Sequence, residues 1–263
     1  MVKRVKLPTR GFGAEPGQPD AGALAGWIAE HRGHMADIIT YQLDRSLAPQ
    51  VEAGIETPCA GGKFYADRIL AAFSDVCERK ATGEIHVDTR DIVEDAAGIV
   101  VRKKGAWCAM PAPHILDIED RYYHDNDEWS GAICEAYGTL MRTMRDTGIA
   151  GNILVCDAMQ ETELAALARQ KIVFFQPKPN PEDLALLMEH QDQVAVGKEC
   201  LKTLFNLTSE YTLKKVFIID PDKEAIALAL THLDPDQIVA GGYCTMECDT
   251  YWKDLFDHAA YVR

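Results

Sequence analysis

Five apolar segments, Ile153 to Cys156, Ile172 to Phe175, Val194 to Val196, Val216 to Ile219 and Ile238 to Ala240, recur about every twenty residues, and each gap between them carries one helical pattern. Parallel strands cannot be joined by a tight hairpin, so a strand, helix, strand alternation is what βα units feeding a parallel sheet require. Asn180-Pro181 marks a helix start, with a capping side chain followed by proline at the first helical position. Asp220-Pro221-Asp222 repeats that device, and Ala259 to Val262 is a candidate last strand. The fold class expected is α/β: a C-terminal open, mostly parallel, doubly wound sheet of five to six strands, with an N-terminal α+β segment. An eight-stranded barrel would need further strands from the N-terminal part, whose composition does not alternate in that way.

That part reads differently. Residues 8 to 22 hold four glycines and three prolines, and Ala53 to Gly62 holds three glycines and Pro58, so both are expected to be loops. Leu24, Ile28, His31, Met35, Ile38 and Leu43 recur at helical spacing, as do Ile69, Phe73, Val76 and Cys77. His86-Val87, Ile99 to Val101 and Ala106 to Met110 look like strands, with Lys104-Gly105 as a hairpin turn. The longest amphipathic pattern runs from Trp129 to Met144, with Asp127 as N-cap and Gly148 as stop. The expected organisation is therefore residues 1–116 as an α+β segment or cap and residues 117–263 as a Rossmann-like domain that includes the linking helix 128–146.

The formal net charge of -14 argues against nucleic-acid binding, which draws on a clustered surplus of Lys and Arg. Lys3, Arg4, Lys6 and Arg10 form one short basic cluster, read as a solvated end or a charged edge strand. No apolar run approaches the roughly 18 residues that span a bilayer, and Pro8 with a glycine-rich stretch follows the basic start where a signal peptide would be apolar. A cytoplasmic location without membrane partners is expected. The eight cysteines are scattered, and several lie in apolar patterns where cysteine acts as a small hydrophobe.

In open parallel sheets, ligands bind beyond the carboxyl ends of the strands, where helix N-termini point inward. That rule selects Asp157, Lys178, Lys198 and Asp220 as catalytic candidates. The lysines suit an anion, or a Schiff base if desolvated; the aspartates suit a general base or a helix cap. Gly197, Gly241, Gly242 and Tyr243 are the cofactor-binding candidates. Cys244, Cys248 and Asp249 are the metal candidates, because thiolates four apart on a helix with a carboxylate could hold zinc or iron. Two thiols fall short of four ligands; Cys156, His114 or His258 would have to join them.

Other motifs fail on inspection. Gly61-Gly62-Lys63-Phe64 lacks the earlier glycine and the Ser or Thr of a phosphate loop, and no G-x-G-x-x-G follows a C-terminal strand. His31 and His34 lie three apart without an identifiable acidic partner, and Asp125 to Glu128 lacks the spacing of a calcium loop. Cys108 and His114 flank a proline-rich strand exit and would make a nucleophilic pair only if the fold brought them together. The leading expectation is an enzyme of small-molecule metabolism with a cleft at these strand ends, metal-assisted if the cysteines bind one. One alternative is a transferase, for example a methyltransferase, binding a nucleotide-type cofactor without the usual glycines; another is a non-catalytic ligand-binding protein. A homodimer could form through the last strand near Tyr261, unless the N-terminal segment covers that edge.

Overall fold

The computed structural model describes residues 4–31, 35–245 and 248–262, with the side chains of Asp249 and Val262 left out; His34 and Lys3 lie outside the described residues. Among the described residues, eight parallel strands alternate with helices. They are β1 (Thr9–Ala14), β2 (Cys59–Gly61), β3 (Trp107–Pro111), β4 (Asn152–Val155), β5 (Ile172–Phe175), β6 (Gln193–Gly197), β7 (Lys215–Ile219) and β8 (Ile238–Cys244). The helices are α1 (Ala21–Glu30), α2 (Ile38–Ala53), α3 (Ala66–Ala72), α4 (Arg90–Arg102), α5 (Asn126–Thr147), α6 (Glu161–Leu167), α7 (Pro181–His190), α8 (Leu201–Leu207), α9 (Lys223–Ala229) and α10 (Cys248–His258).

The α/β class and the parallel order hold, with β6, β7, β8 and β1 hydrogen-bonded in that order and β2, β3, β4 and β5 in a second set. The openness does not hold. Thr57, just before β2, pairs in parallel with Arg10, its carbonyl accepting from Gly11 N–H at 2.9 Å and its own N–H donating to Thr9 at 3.1 Å. At the far edges β5 and β6 pack side by side. One apolar interior then receives Phe12, Cys59, Ala109, Ile153, Val155, Val173, Phe175, Ala195, Phe217, Ile219, Val239 and Tyr243, which come from all eight strands. This is a closed β/α barrel filled by alternate side chains. The intervening residues, such as Leu154, Phe174 and Ile218, face outward into the larger core beneath the helices.

The N-terminal part thus supplies β1, β2 and β3, two of them from stretches that read as loops. Their glycines mark crowding. A Cβ on Gly61, whose φ is +85°, would lie 2.2 Å from the Ala109 carbonyl oxygen, and one on Gly13 (φ +95°) would lie 2.7 Å from Ala109 Cβ and from Gly61 O. Only glycine lets these backbones pass so closely with that handedness.

Several local readings change. Ile99 to Val101 belongs to α4, where Ile92, Asp95, Ala96 and Ile99 are buried on one face while Val101 stays exposed; Lys104-Gly105 turns from that helix into β3 and closes no hairpin. His86-Val87 reaches only an isolated bridge to Phe73. The first helical pattern divides into α1 and α2, because Asp37 makes a capping box with Thr40; the second ends at Ala72, and Val76–Cys77 becomes a short strand. Asp125, not Asp127, caps α5, accepting from the backbone of Asp127 and Glu128, and Asp222, not Asp220, caps α9. Gly148 does end α5, with φ +116°, and Asn180 does cap α7. Ala260–Val262 pairs antiparallel with Arg4–Lys6, so the chain's own N-terminal segment covers the last strand's edge.

Candidate functional site

Closing the ring brings the carboxyl ends of all eight strands to one mouth, the face at which such barrels carry their chemistry. The residues there are Glu15 after β1, Lys63 after β2, His114 after β3, Asp157 after β4, Gln176 and Lys178 after β5, Lys198 after β6, Asp220 and Asp222 after β7, and Tyr243 near the end of β8. Three hydrogen-bonded groups stand out.

The first joins the ends of the ring. Tyr243 is buried, its ring set edge-on to Phe175, and its hydroxyl donates to Glu15 Oε1, which also accepts the Lys63 N–H at 2.7 Å. Gly62 makes room for this, since a Cβ there would lie 2.8 Å from the same carboxylate oxygen and 2.2 Å from Ala14 O. Burial, reinforced by the charge of Glu15, pushes the Tyr243 hydroxyl pKa upward, so it remains a donor.

The second group joins β7, β8 and α10. Tyr251 donates its hydroxyl proton to Asp220 and accepts the Tyr243 N–H at 2.8 Å. Asp220 adopts a left-handed backbone (φ +51°), uncommon for a residue other than glycine and concentrated at functional positions.

The third group is a histidine between two carboxylates. His114 lies in a short 3-10 turn, Pro113–Leu116, just past β3. Its Nδ1 is 2.9 Å from Glu163 Oε2, its Nε2 is 2.8 Å from Asp157 Oδ1, and its backbone N–H donates to Glu163 Oε1 at 2.7 Å. Glu163 is buried in the first turn of α6, with 8% of its side chain exposed, while Asp157 is 65% exposed. Burial alone would lower the His114 pKa; the hydrogen bonds and charges of Glu163 and Asp157 outweigh it and raise the value.

The residues singled out from sequence fall in different surroundings. Lys198 ion-pairs with Asp222 at 2.8 Å on the exposed rim, and Lys178 is exposed. A Cβ on Gly197 would meet the Glu199 carboxylate at 2.4 Å. Gly241 faces Phe12 and Ile219 inside the ring, whereas Gly242 faces outward against Trp252 and Leu255 of α10. Cys244 and Cys248 are buried and bonded to each other, so neither is a thiolate, and the Asp249 side chain is not described. Among the described residues no three His, Cys, Asp or Glu side chains are grouped to hold a metal ion. His258 turns to the Asp254 carbonyl, and Cys156 and Cys108 are buried thiols whose pKa burial pushes well above the ordinary range. Among the described residues, the disulfide-bonded Cys244 and Cys248 do not form a metal centre, and His114 pairs with carboxylates instead of Cys108.

Sequence reasoning missed Glu15, Tyr251 and Glu163. Glu163 reads like any acidic residue of a helix first turn, as Glu161 does, and nothing local separates the two. Also unforeseen is Arg10, only 7% exposed inside the ring. Its guanidinium lies 3.7 Å from the Trp107 ring centroid and 4.8 Å from that of Phe217, and its Nε and Nη2 have no hydrogen-bond partner among the described residues. Burial lowers its pKa to about 10.

No protein-family model and no curated protein matches this sequence. Solved structures do resemble it. A B12-independent methionine synthase from Shewanella sp. W3-18-1, in complex with selenomethionine, superposes with a TM-score of 0.68 over 97% of each chain at 15% identity. A structure from Listeria monocytogenes named for vitamin-B12-independent methionine synthase gives 0.65 over 96% of each chain at 14% identity. A methyltransferase from Methanosarcina mazei gives 0.54 over 96% of this chain and 94% of that one at 10% identity. At such identities the likeness establishes the fold alone. Among the described residues, no helix is long and apolar enough to cross a membrane.

Proposed function

We propose that this chain is an enzyme of small-molecule metabolism that transfers a methyl group at the carboxyl mouth of its barrel. The observation that carries the reading is the convergence there of three proton-bearing groups, Tyr243 with Glu15, Tyr251 with Asp220, and His114 with Asp157 and Glu163. They come from the ends of five strands, β1, β3, β4, β7 and β8, and from α6 and α10, as catalytic groups on such barrels come from several strand ends. The near end-to-end likeness to structures named for methionine synthesis and methyl transfer supports the choice of reaction. Methyl transfer needs an acceptor that loses a proton and a donor atom that keeps the bonding pair, so positioned acids and bases are the parts required.

The rim carries Glu15, Asp157, Asp220 and Asp222 against Lys63, Lys178 and Lys198. An excess of carboxylates suits a ligand with an ammonium group, such as an amino acid. In this reading Asp157 and Asp220 are the base candidates, and Lys178 and Lys198 hold a carboxylate or other anion. Gly241 and Tyr243 form the floor. The metal-assisted version, resting on Cys244, Cys248 and Asp249, is not carried forward.

The test supplies L-homocysteine as acceptor with three donors labelled in the methyl group, S-methylmethionine, glycine betaine and dimethylglycine, and follows labelled methionine by mass. Label transfer that depends on Asp220 is expected. No labelled methionine from any donor, with folded protein, overturns the methyl-transfer reading.

A further inference from the structure

A carboxylate oxygen can only accept a hydrogen bond, so a ring nitrogen facing one must carry a proton. Both nitrogens of His114 face carboxylate oxygens, at 2.9 and 2.8 Å. The ring is therefore an imidazolium, whichever tautomer its neutral form would prefer. Its two partners differ in kind. Glu163 is buried and grips both the ring and the backbone N–H of the same residue, which fixes the imidazole's position. Asp157 is mostly exposed and sits on the loop after β4, so it is the partner that an incoming molecule can displace.

We propose that His114 is the proton donor of the mouth: its Nε2 hydrogen passes to the leaving atom of a bound donor, Asp157 takes the acceptor's proton, and Glu163 positions the ring. The inference rests on the methyl-transfer reading and names the residues that move its protons. The methyl carbon's bond to a donor amine nitrogen breaks with the electron pair staying on nitrogen, and that nitrogen takes the Nε2 proton. A new sulfur–carbon bond forms as the acceptor thiol gives its proton to Asp157. The short contact between Asp157 and Nε2 then returns that proton to the ring. One thiol and one N-methylated amine become one thioether and one amine, with no other reactant.

The other titratable groups around Glu163 are Cys134 and Tyr137 on α5 and Cys156 at the end of β4, with Lys63 toward Cys156. Burial and, after it, the charge of Glu163 push the Cys134 thiol up to about 11, and Tyr137 and Cys156 are pushed up for the same first reason. All three stay uncharged near neutrality. Glu163 and Asp157 are thus the charges that set the state of His114.

Two measurements test this. Ring-nitrogen NMR on histidine-labelled protein should show both His114 nitrogens protonated at pH 7.5, with the midpoint falling in Asp157→Asn. A neutral His114 ring at pH 7.5 in the unaltered protein overturns the proposal, whether or not any transfer is seen. In the transfer assay, His114→Gln should slow turnover of dimethylglycine, whose amine must be protonated to leave, by about 100-fold. The same variant should change turnover of S-methylmethionine, which leaves as a neutral thioether, less than about threefold. Equal slowing of both donors assigns His114 a structural role and overturns the proposal while leaving methyl transfer standing. If no donor reacts, the methyl-transfer reading falls and the proton-donor role with it, even where the NMR shows a charged ring.

Discussion

Arg68 lies in the barrel's outer layer, and its replacement by methionine yields a stability loss whose pH dependence can be worked out. The guanidinium is 7% exposed and reaches Asp95 through Nε at 2.8 Å and Asp37 through Nη2 at 2.8 Å. Asp95 is fully enclosed and also accepts from the Tyr65 hydroxyl at 2.9 Å. Burial, opposed by Arg68, raises the Asp95 pKa from 3.8 to about 6. A carboxyl raised in the folded state is protonated there while the unfolded chain is already ionised. Stability therefore falls as pH rises from 3.8 to about 6, by about 3 kcal/mol, and is level above that. In Arg68→Met the carboxyl loses its compensating charge, so it stays protonated past neutrality and the fall continues. By pH 8 the variant loses about 3 kcal/mol more than the unaltered protein on this account, and at pH 5, where both forms hold Asp95 protonated, almost nothing. Loss of the half-exposed Asp37 contact adds about 1 kcal/mol at both pH values. Urea unfolding at pH 5 and pH 8 reads the difference. An equal gap between variant and unaltered protein at the two pH values would refute the reasoning, because it would mean that Asp95 does not depend on Arg68 for its charge.

Two further outcomes are expected. Gly61→Ala places a Cβ 2.2 Å from a backbone oxygen that cannot turn aside, at φ +85°, and should cost about 3 kcal/mol or lower the melting temperature by about 10 °C; a change under about 2 °C would show that β2 and β3 are not so closely apposed. Arg10→Met removes a buried cation that has three aromatic neighbours and two unpartnered nitrogens, and should leave thermal stability unchanged or raise it by about 1 kcal/mol. A loss above about 2 kcal/mol would show that the ring contacts outweigh the desolvation of the guanidinium.

What a single sequence determines here is whatever depends on neighbours along the chain. β4 to β8 were legible because buried parallel strands are short apolar runs, α5 because its apolar face and its Gly148 stop are written within a few residues, and α7 because its Asn180 cap is. The carboxyl ends of those strands were legible for the same reason, and with them Asp157, Asp220 and Tyr243. β1 and β2 were not. They are short, and the glycines that local rules assign to loops are required by backbones far apart in sequence, Gly61 against Ala109 and Gly13 against both. Only tertiary structure decides that the sheet closes, because closure rests on a pairing between Arg10 and Thr57 and on the packing of β5 beside β6. Closure in turn sets Glu15 against Tyr243, 228 residues later, and Glu163 against His114, 49 residues earlier. The pattern of one strand carries its own type but no record of the strand that will stand across the mouth from it.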